Sequence, residues 1–436
     1  MNAPLRRGAC PGLSAPMQTG DGLLVRMLPI GTVPLAAFAA LCAAARQHGN
    51  GIIEVTARGS IQVRGLSPAS APRFAAAVAP LGITAADGIA VHASPLAGLD
   101  GDEILDAEKL AADLRRALAG HEMAARLAPK ISVVVDGGGV LGLDGLSADV
   151  RLHAERNDGR VVLAVTVGGD RAAATRLGVV APANGVAAVL RLLDIIAGRG
   201  RDLRARDVIN HGGVEPFSRG VRDLLLILSR PCGDGDPELD SRLRGYERSS
   251  VIGTHRLRDG LLGCGVGLLF GHASATSLMN LTDAAAAKGA AGLRAAPDRA
   301  LIFIGFSPGA TGAFVTDAER LGFVVRADDP RRFVVACAGA PICASGRIAA
   351  RALAPRIAAA CAPSLAERFV VHVSGCAKGC AHPAPAALTI VGTAEGSALV
   401  TDATARDAPF ATVLVDDLPD AVAGFASRMI GEVSHV

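Results

Sequence analysis

GLLVRML (22–28) sets apolar residues around a single charge and ends at Pro29 and Gly31, the pattern of a strand that runs into a turn. It opens a stretch, MLPIGTVPLAAFAALCAAA (27–45), that carries no charge for nineteen residues, about the length that spans a bilayer. Pro29, Gly31 and Pro34 interrupt it. The pattern therefore predicts a strand ending near Leu28, a turn, and a buried helix from about Pro34 with Thr32 near its cap. GIIEVTARGSIQVRG (51–65) then returns to strand character. The order recurs later, as RDGLLGCGVGLLFG (258–271), the helical run SATSLMNLTDAAAAKG (274–289) and GLRAAPDRALIFIG (292–305). Arg58 stands seven residues after Gly51 and Arg299 seven after Gly292, so matching positions hold an arginine at the start of the last strand.

A second pair of segments repeats as well. LAPKISVVVDGGGVLG (127–142) aligns with LAERFVVHVSGCAKGC (365–380) at constant offset, with Gly138 and Gly142 where Cys376 and Cys380 stand. Strand-like runs follow each, and an apolar helical run comes later in each (185–197 and 416–430). The predicted order is small unit 1–88, large unit 89–228, polar linker 229–247, small unit 248–315 and large unit 316–436. That is an α+β chain in two pseudo-symmetric halves, with a ligand site expected at the seam.

Composition narrows the function. The chain has 436 residues, half of them apolar and 19% charged, so it is globular. One Tyr and no Trp leave little to stack nucleic-acid bases on, and a net charge of +3 marks no polyanionic partner. Arg6 and Arg7 precede GACPG rather than an apolar leader, and a cytosolic protein is expected. Reduced thiols in such a chain bind metal or do chemistry more often than they cross-link. Four of the nine cysteines are paired as Cys337-x5-Cys343 and Cys376-x3-Cys380. Four thiolates can hold a [4Fe–4S] cluster, and the flanking Ala and Gly residues let backbone N–H groups approach its sulfides. A zinc site and scattered core cysteines stay open on spacing alone. Zinc ribbons favour C-x2-C, however, and Cys42 and Cys361, inside Ala-rich helical runs, are the ones that look like core. GGGVLG (137–142) fits a dinucleotide fingerprint by letter, but a strand rather than a helix is expected after it, so it reads as a glycine-rich turn.

The paired cysteines in the last quarter of a doubled chain resemble the nitrite and sulfite reductase superfamily. TARGSIQ (56–62) is similar to its TxRQxxQ stretch and ASPLAGLDGDEILD (93–106) to its SPLAGxDxxEIxD stretch. The resemblance runs from about residue 15 to the C-terminus. It implies two ferredoxin-like half-domains plus two larger α/β domains related by a pseudo-twofold, and a [4Fe–4S] cluster on Cys337, Cys343, Cys376 and Cys380. In the reductases the last thiolate also bridges to sirohaem iron. RRGACPGLSAPMQTGDGLLVR (6–26), ASPLAGLD and SGCAKGCAHP (374–383) resemble one branch in particular, the precorrin-3B synthases of aerobic cobalamin biosynthesis. That branch implies an iron–sulfur monooxygenase. With O2 and reducing equivalents it hydroxylates precorrin-3A at a meso carbon, and a ring acetate closes a lactone. A separate NADH-dependent reductase is expected as electron donor; a monomer is expected, and the composition and the interrupted apolar stretch point to no nucleic-acid or membrane partner. A sirohaem-dependent nitrite or sulfite reductase is the alternative.

The departures from the reductases favour the first reading. Arg58 and Lys130 match two of their cationic positions. Ser132 stands where a second lysine is usual, His92 is the residue nearest a missing arginine, and Lys378 replaces an asparagine between the last two cysteines. A pocket short of two cations stabilises a small oxyanion poorly and leaves room for a macrocycle. Arg58 and Lys130, with Arg299 and Arg26, are expected to pair with carboxylates of the tetrapyrrole, and Lys378 to lie at the site. O2 chemistry further implies a second iron. The resemblance points to a mononuclear non-haem iron with His382 as its candidate ligand, His372 and His211 as further histidines, and sirohaem as the other form.

Overall fold

The computed structural model describes residues 11–83, 88–119, 122–227, 250–362 and 370–433; the expected linker 229–247, Cys10 and Cys232 lie outside them. The first repeat folds as two five-stranded antiparallel sheets. One takes the order β1 (Met17–Thr19), β2 (Gly22–Met27), β5 (Ile61–Leu66), β4 (Ile52–Val55) and β13 (His272–Ser274). The other takes β11 (Gly253–Arg256), β12 (Leu262–Gly267), β15 (Ala300–Phe306), β14 (Gly292–Ala296) and β3 (Val33–Pro34). The edge strands are exchanged: β13 pairs with β4 across the halves, and β3 with β14. Strand alternation sends Val25, Ile53, Val55 and Val63 into one apolar core with Leu293, Leu301 and Phe303. Helices Leu35–His48 and Ala275–Ala287 pack against each other over it, and their many alanines permit close approach. Burying a side chain such as Phe38 or Leu278 there contributes about 2 kcal/mol.

The uncharged stretch is thus a turn and a core helix, and no helix among the described residues is long and apolar enough to cross a membrane. Thr32 does not cap the helix. Pro34 is the N-cap residue, and Thr32 Oγ1 accepts from Arg294 Nε at 2.9 Å instead.

The second repeat gives two more sheets with the same plan. β6 (Ala90–Ala93), β7 (Ser132–Asp136), β8 (Ala148–Asn157), β9 (Arg160–Gly169) and β10 (Thr175–Val180) lie side by side in chain order. So do β16 (Val334–Ala336), β17 (Val371–Ser374), β18 (Ala386–Gly392), β19 (Ser397–Ala403) and β20 (Ala411–Val413). In both, the first two pairings are parallel and the rest antiparallel. Loops at the carboxyl ends of parallel strands are the usual place for ligands. Cys337 and Cys343 follow β16, and Cys376 and Cys380 follow β17. GGGVLG leaves β7 and reaches β8 with no helix between them.

Candidate functional site

Glycine lets the two cysteine loops meet. A Cβ on Gly339 (φ +63°) would lie 2.4 Å from Ala350 N, and one on Gly375 would lie 2.9 Å from Gly339 Cα. Cys337 Sγ accepts from Gly375 N at 3.0 Å, and from the backbone of Gly339. Lys378 Nζ, between the last two cysteines, donates to Ser345 Oγ at 2.8 Å and ties one loop to the other. Burial pushes the Cys337 thiol up, and the charges of Cys380 and Cys376 add to this. Cys380 is raised by burial and by Cys376 and Cys343, against the pull of Arg64 and Lys378. The four sulfurs therefore share one electrostatic neighbourhood. Among the described residues no three His, Cys, Asp or Glu side chains close around a single ion. A cubane, in which each sulfur meets its own iron, does not require them to. Soft donors, inward N–H groups and a loop without side-chain bulk fit a [4Fe–4S] core.

The loops face the polar side of the first sheet. Gly20 lies so close that a Cβ there would sit 2.3 Å from Cys343 Sγ, and its carbonyl accepts from Ala344 N at 2.8 Å. Alternation on β2, β4 and β5 puts Arg26, Glu54, Gln62 and Arg64 on this face. Arg64 forks onto Asp21 at 2.8 and 2.9 Å and reaches Glu54 at 3.3 Å. Glu54 accepts from Arg351 at 2.8 Å. With its amide oxygen turned to Arg26, Gln62 accepts from Nε at 2.8 Å and Nη2 at 2.7 Å and donates to Glu54 at 3.1 Å. Burial would raise the Asp21 carboxyl, but Arg64 outweighs it and holds the group low. Arg351 is lowered chiefly by burial; its Nε and Nη1 are buried without a partner, and it lies in the field of Cys337.

Arg58 sits in the tight loop between β4 and β5, where Thr56 Oγ1 accepts from the backbone N–H of Arg58 and Ser60. Its Nη2 donates to Ser147 O at 2.7 Å, which carries the guanidinium across to the first large unit. There it lines a recess with His92, Glu108, Arg115 and Arg294. Burial, then the charges of Arg58 and Arg115, bring His92 down to about 4. Lys130 stands exposed in the turn before β7 and does not line the recess.

Residues 15–81 match the family profile described as Nitrite/Sulfite reductase ferredoxin-like half domain. A precorrin-3B synthase from Sinorhizobium is 38% identical over 411 residues, covering 94% of this chain and 86% of that protein. The chain belongs to the precorrin-3B synthase family. A ferredoxin–nitrite reductase from Synechococcus elongatus is 23% identical over 403 residues, covering 86% of this chain and 77% of its own. The solved Mycobacterium tuberculosis NirA protein superposes with a TM-score of 0.71 at 20% identity, over 92% of this chain and 79% of that one, which shows the shared fold.

In this member of the family the remaining expected residues gather elsewhere. Arg299 takes left-handed backbone (φ 61°) and packs over Gly271, within electrostatic reach of His372 and His382. The two rings are 5.7 Å apart, and His372 is fully buried with both ring nitrogens unpartnered. Burial, then His382 and Arg299, drive His372 to about 3. No third His, Cys, Asp or Glu among the described residues completes a site for one iron there. The described residues do not fit a mononuclear centre at His382. His211 is exposed on helix Ala205–Gly212, its Nδ1 against Asp207 O at 2.6 Å, and joins neither group.

The first half answers the cluster loop with carboxylates. Asp136 accepts from Gly138 N and Leu143 N at 2.9 and 3.1 Å, and Asp100 from Val140 N at 2.6 Å. Another correspondence reverses sign. Glu54, third in β4, meets Arg351, second in helix Ala350–Cys361. Arg294, third in β14, lies in the field of Glu108, second in helix Ala107–Leu118. Asp21, Glu54, Arg64, Arg351 and Arg115 complete the two groups and carry no motif that marks them in the sequence. For Glu54 and Arg64 the available signal was charge inside the apolar strands at either end of EVTARGSIQVR (54–64).

Proposed function

We propose that the protein hydroxylates precorrin-3A at a meso carbon, with closure of a lactone, as a precorrin-3B synthase of aerobic cobalamin biosynthesis. One atom of O2 enters the macrocycle and the other leaves as water. Two electrons and two protons make up the balance, from NADH through a separate reductase. The observation that carries the reading is the pair of cysteine loops set against the charged face of Arg26, Glu54, Gln62 and Arg64. Cys337, Cys343, Cys376 and Cys380 would hold the [4Fe–4S] cluster, which when bound supplies one-electron relay. Arg58, Arg26, Lys130 and Arg299 pair with carboxylates of the tetrapyrrole, and Lys378 braces the loop of the last two cysteines. Arg64 places positive charge beside Cys380 and favours its thiolate. His92 supports the reading over an anion reductase, since it stays neutral near where the reductases carry a guanidinium.

Iron and sulfide analysis with an optical spectrum, on anaerobically purified protein, tests this. About four iron and four sulfide per chain are expected, with a broad brown absorption and no intense sirohaem bands. Serine at any one of the four cysteines should strip most of the iron and abolish oxygenation of precorrin-3A. A colourless, iron-free protein, or two such variants that keep full iron and turnover, would end the proposal.

A further inference from the structure

Two guanidinium groups approach the cysteine loops, and one carboxylate ties them together. The turn that carries Asp21 presses on the first loop: a Cβ on Gly20 would collide with Cys343 Sγ, and Gly20 O accepts from Ala344 N. Arg64 forks onto Asp21 at that turn and lies in the field of Cys380. Arg351 follows Ala350, whose backbone N leaves no room for a Cβ on Gly339 of the same loop, and it lies in the field of Cys337. Glu54 accepts from Arg351 at 2.8 Å and from Arg64 at 3.3 Å. The side chains are 0% exposed at Asp21, 11% at Arg64, 12% at Arg351 and 18% at Glu54, so water and salt screen them little. Lys378, a further cation near these sulfurs, is exposed, and its charge is screened more. An electron placed on a four-thiolate cluster makes this neighbourhood more negative by one charge. Fixed cations held nearby in a weakly screened setting favour that change, and fixed carboxylates oppose it.

We propose that Arg64 and Arg351, held by Glu54, are positioning residues that set how readily the [4Fe–4S] cluster takes its electron from the reductase. The proposal rests on the cluster reading above and goes beyond it. The first half-domain, which contributes no cysteine ligand, supplies through Arg64 and Glu54 charge that tunes the centre of the last unit. One electron passes to the cluster, and no proton or bond changes hands at either guanidinium.

A dye-mediated redox titration of the anaerobically purified full chain, followed by electron paramagnetic resonance, tests it, with iron counted in every sample. Arg64→Gln should make reduction about tenfold less favourable, a fall in midpoint of about 59 mV for one electron. Glu54→Gln removes the opposite charge and should raise the midpoint by a similar amount. Arg64→Lys keeps the charge and should stay within about threefold of wild type. Where Arg64→Gln loads no iron, Arg351→Met reads the same effect, since Glu54 then stays paired with Arg64, and the midpoint should again fall. Midpoints that stay put, or that move the same way in the cation and the carboxylate variants as a loosened loop would make them, overturn the proposal and leave the cluster reading intact. Wild type that carries no iron and sulfide overturns the cluster reading with it.

Discussion

His92 and His372 lie buried, and His272 half-buried, beside an arginine: Arg58 and Arg115 for His92, Arg351 for His272 and Arg299 for His372. Burial and then this charge bring His92 and His272 to about 4. Both values lie below the unfolded value near 6.5, so the unfolded chain takes up the protons first. Their contribution is complete above about pH 6.5 and declines as the pH falls toward 4, by about 2 kcal/mol for each at pH 5. Urea unfolding at pH 7.5 and 5.0 should show this loss, and His272→Gln should remove its own share of the slope. Asp136, held near 2 by His153 and backbone N–H groups against the cost of burial, acts in a separate and more acid window. At this scale the cysteine quartet was legible because four thiols at fixed spacings have few uses. Arg351 was not, because its partner Glu54 is 297 positions away.

Among elements, the turn between β1 and β2 shapes the cysteine loop from across the molecule. Gly20→Ala would drive a methyl group into Cys343 Sγ, whereas a Cβ on Gly12 meets nothing within 4 Å. Gly20→Ala should lower iron content severalfold with little change in melting temperature, and Gly12→Ala should change neither; iron assay and calorimetry on the two variants check this. The repeat of strand, helix and strand could be read directly, since the hydrophobic pattern changes period at each boundary. Thr32 looked like a cap because only its neighbours were visible, and Arg294, which claims it, is 262 positions on. β3 and β13 could not be read at all. With two and three residues they are too short for any period, and long-range pairing alone makes them strands.

At the scale of the molecule, Glu54 and Arg351 join the first half-domain to the cysteine-bearing unit through side chains only 18% and 12% exposed. Removing Glu54 strands the Arg351 guanidinium, at a cost of about 3 kcal/mol, whereas removing Arg351 leaves Glu54 paired with Arg64. Glu54→Gln should therefore destabilise by about that amount and Arg351→Met by less, and the double variant by about 1–2 kcal/mol less than their sum. Chemical denaturation of the four proteins measures the coupling. The duplicated layout was legible because both repeats keep their turn residues and spacings. The sign reversal between Glu54–Arg351 and Arg294–Glu108 was not, because neither pairing is local. The exchanged edge strands reach further back. Cut away from its twin, either half would lack the last strand of its own sheet and would offer an open, aggregation-prone border. An ancestor of half this length could close that border only by embracing a second copy of itself. Joining two such copies in one chain would make that exchange of strands permanent.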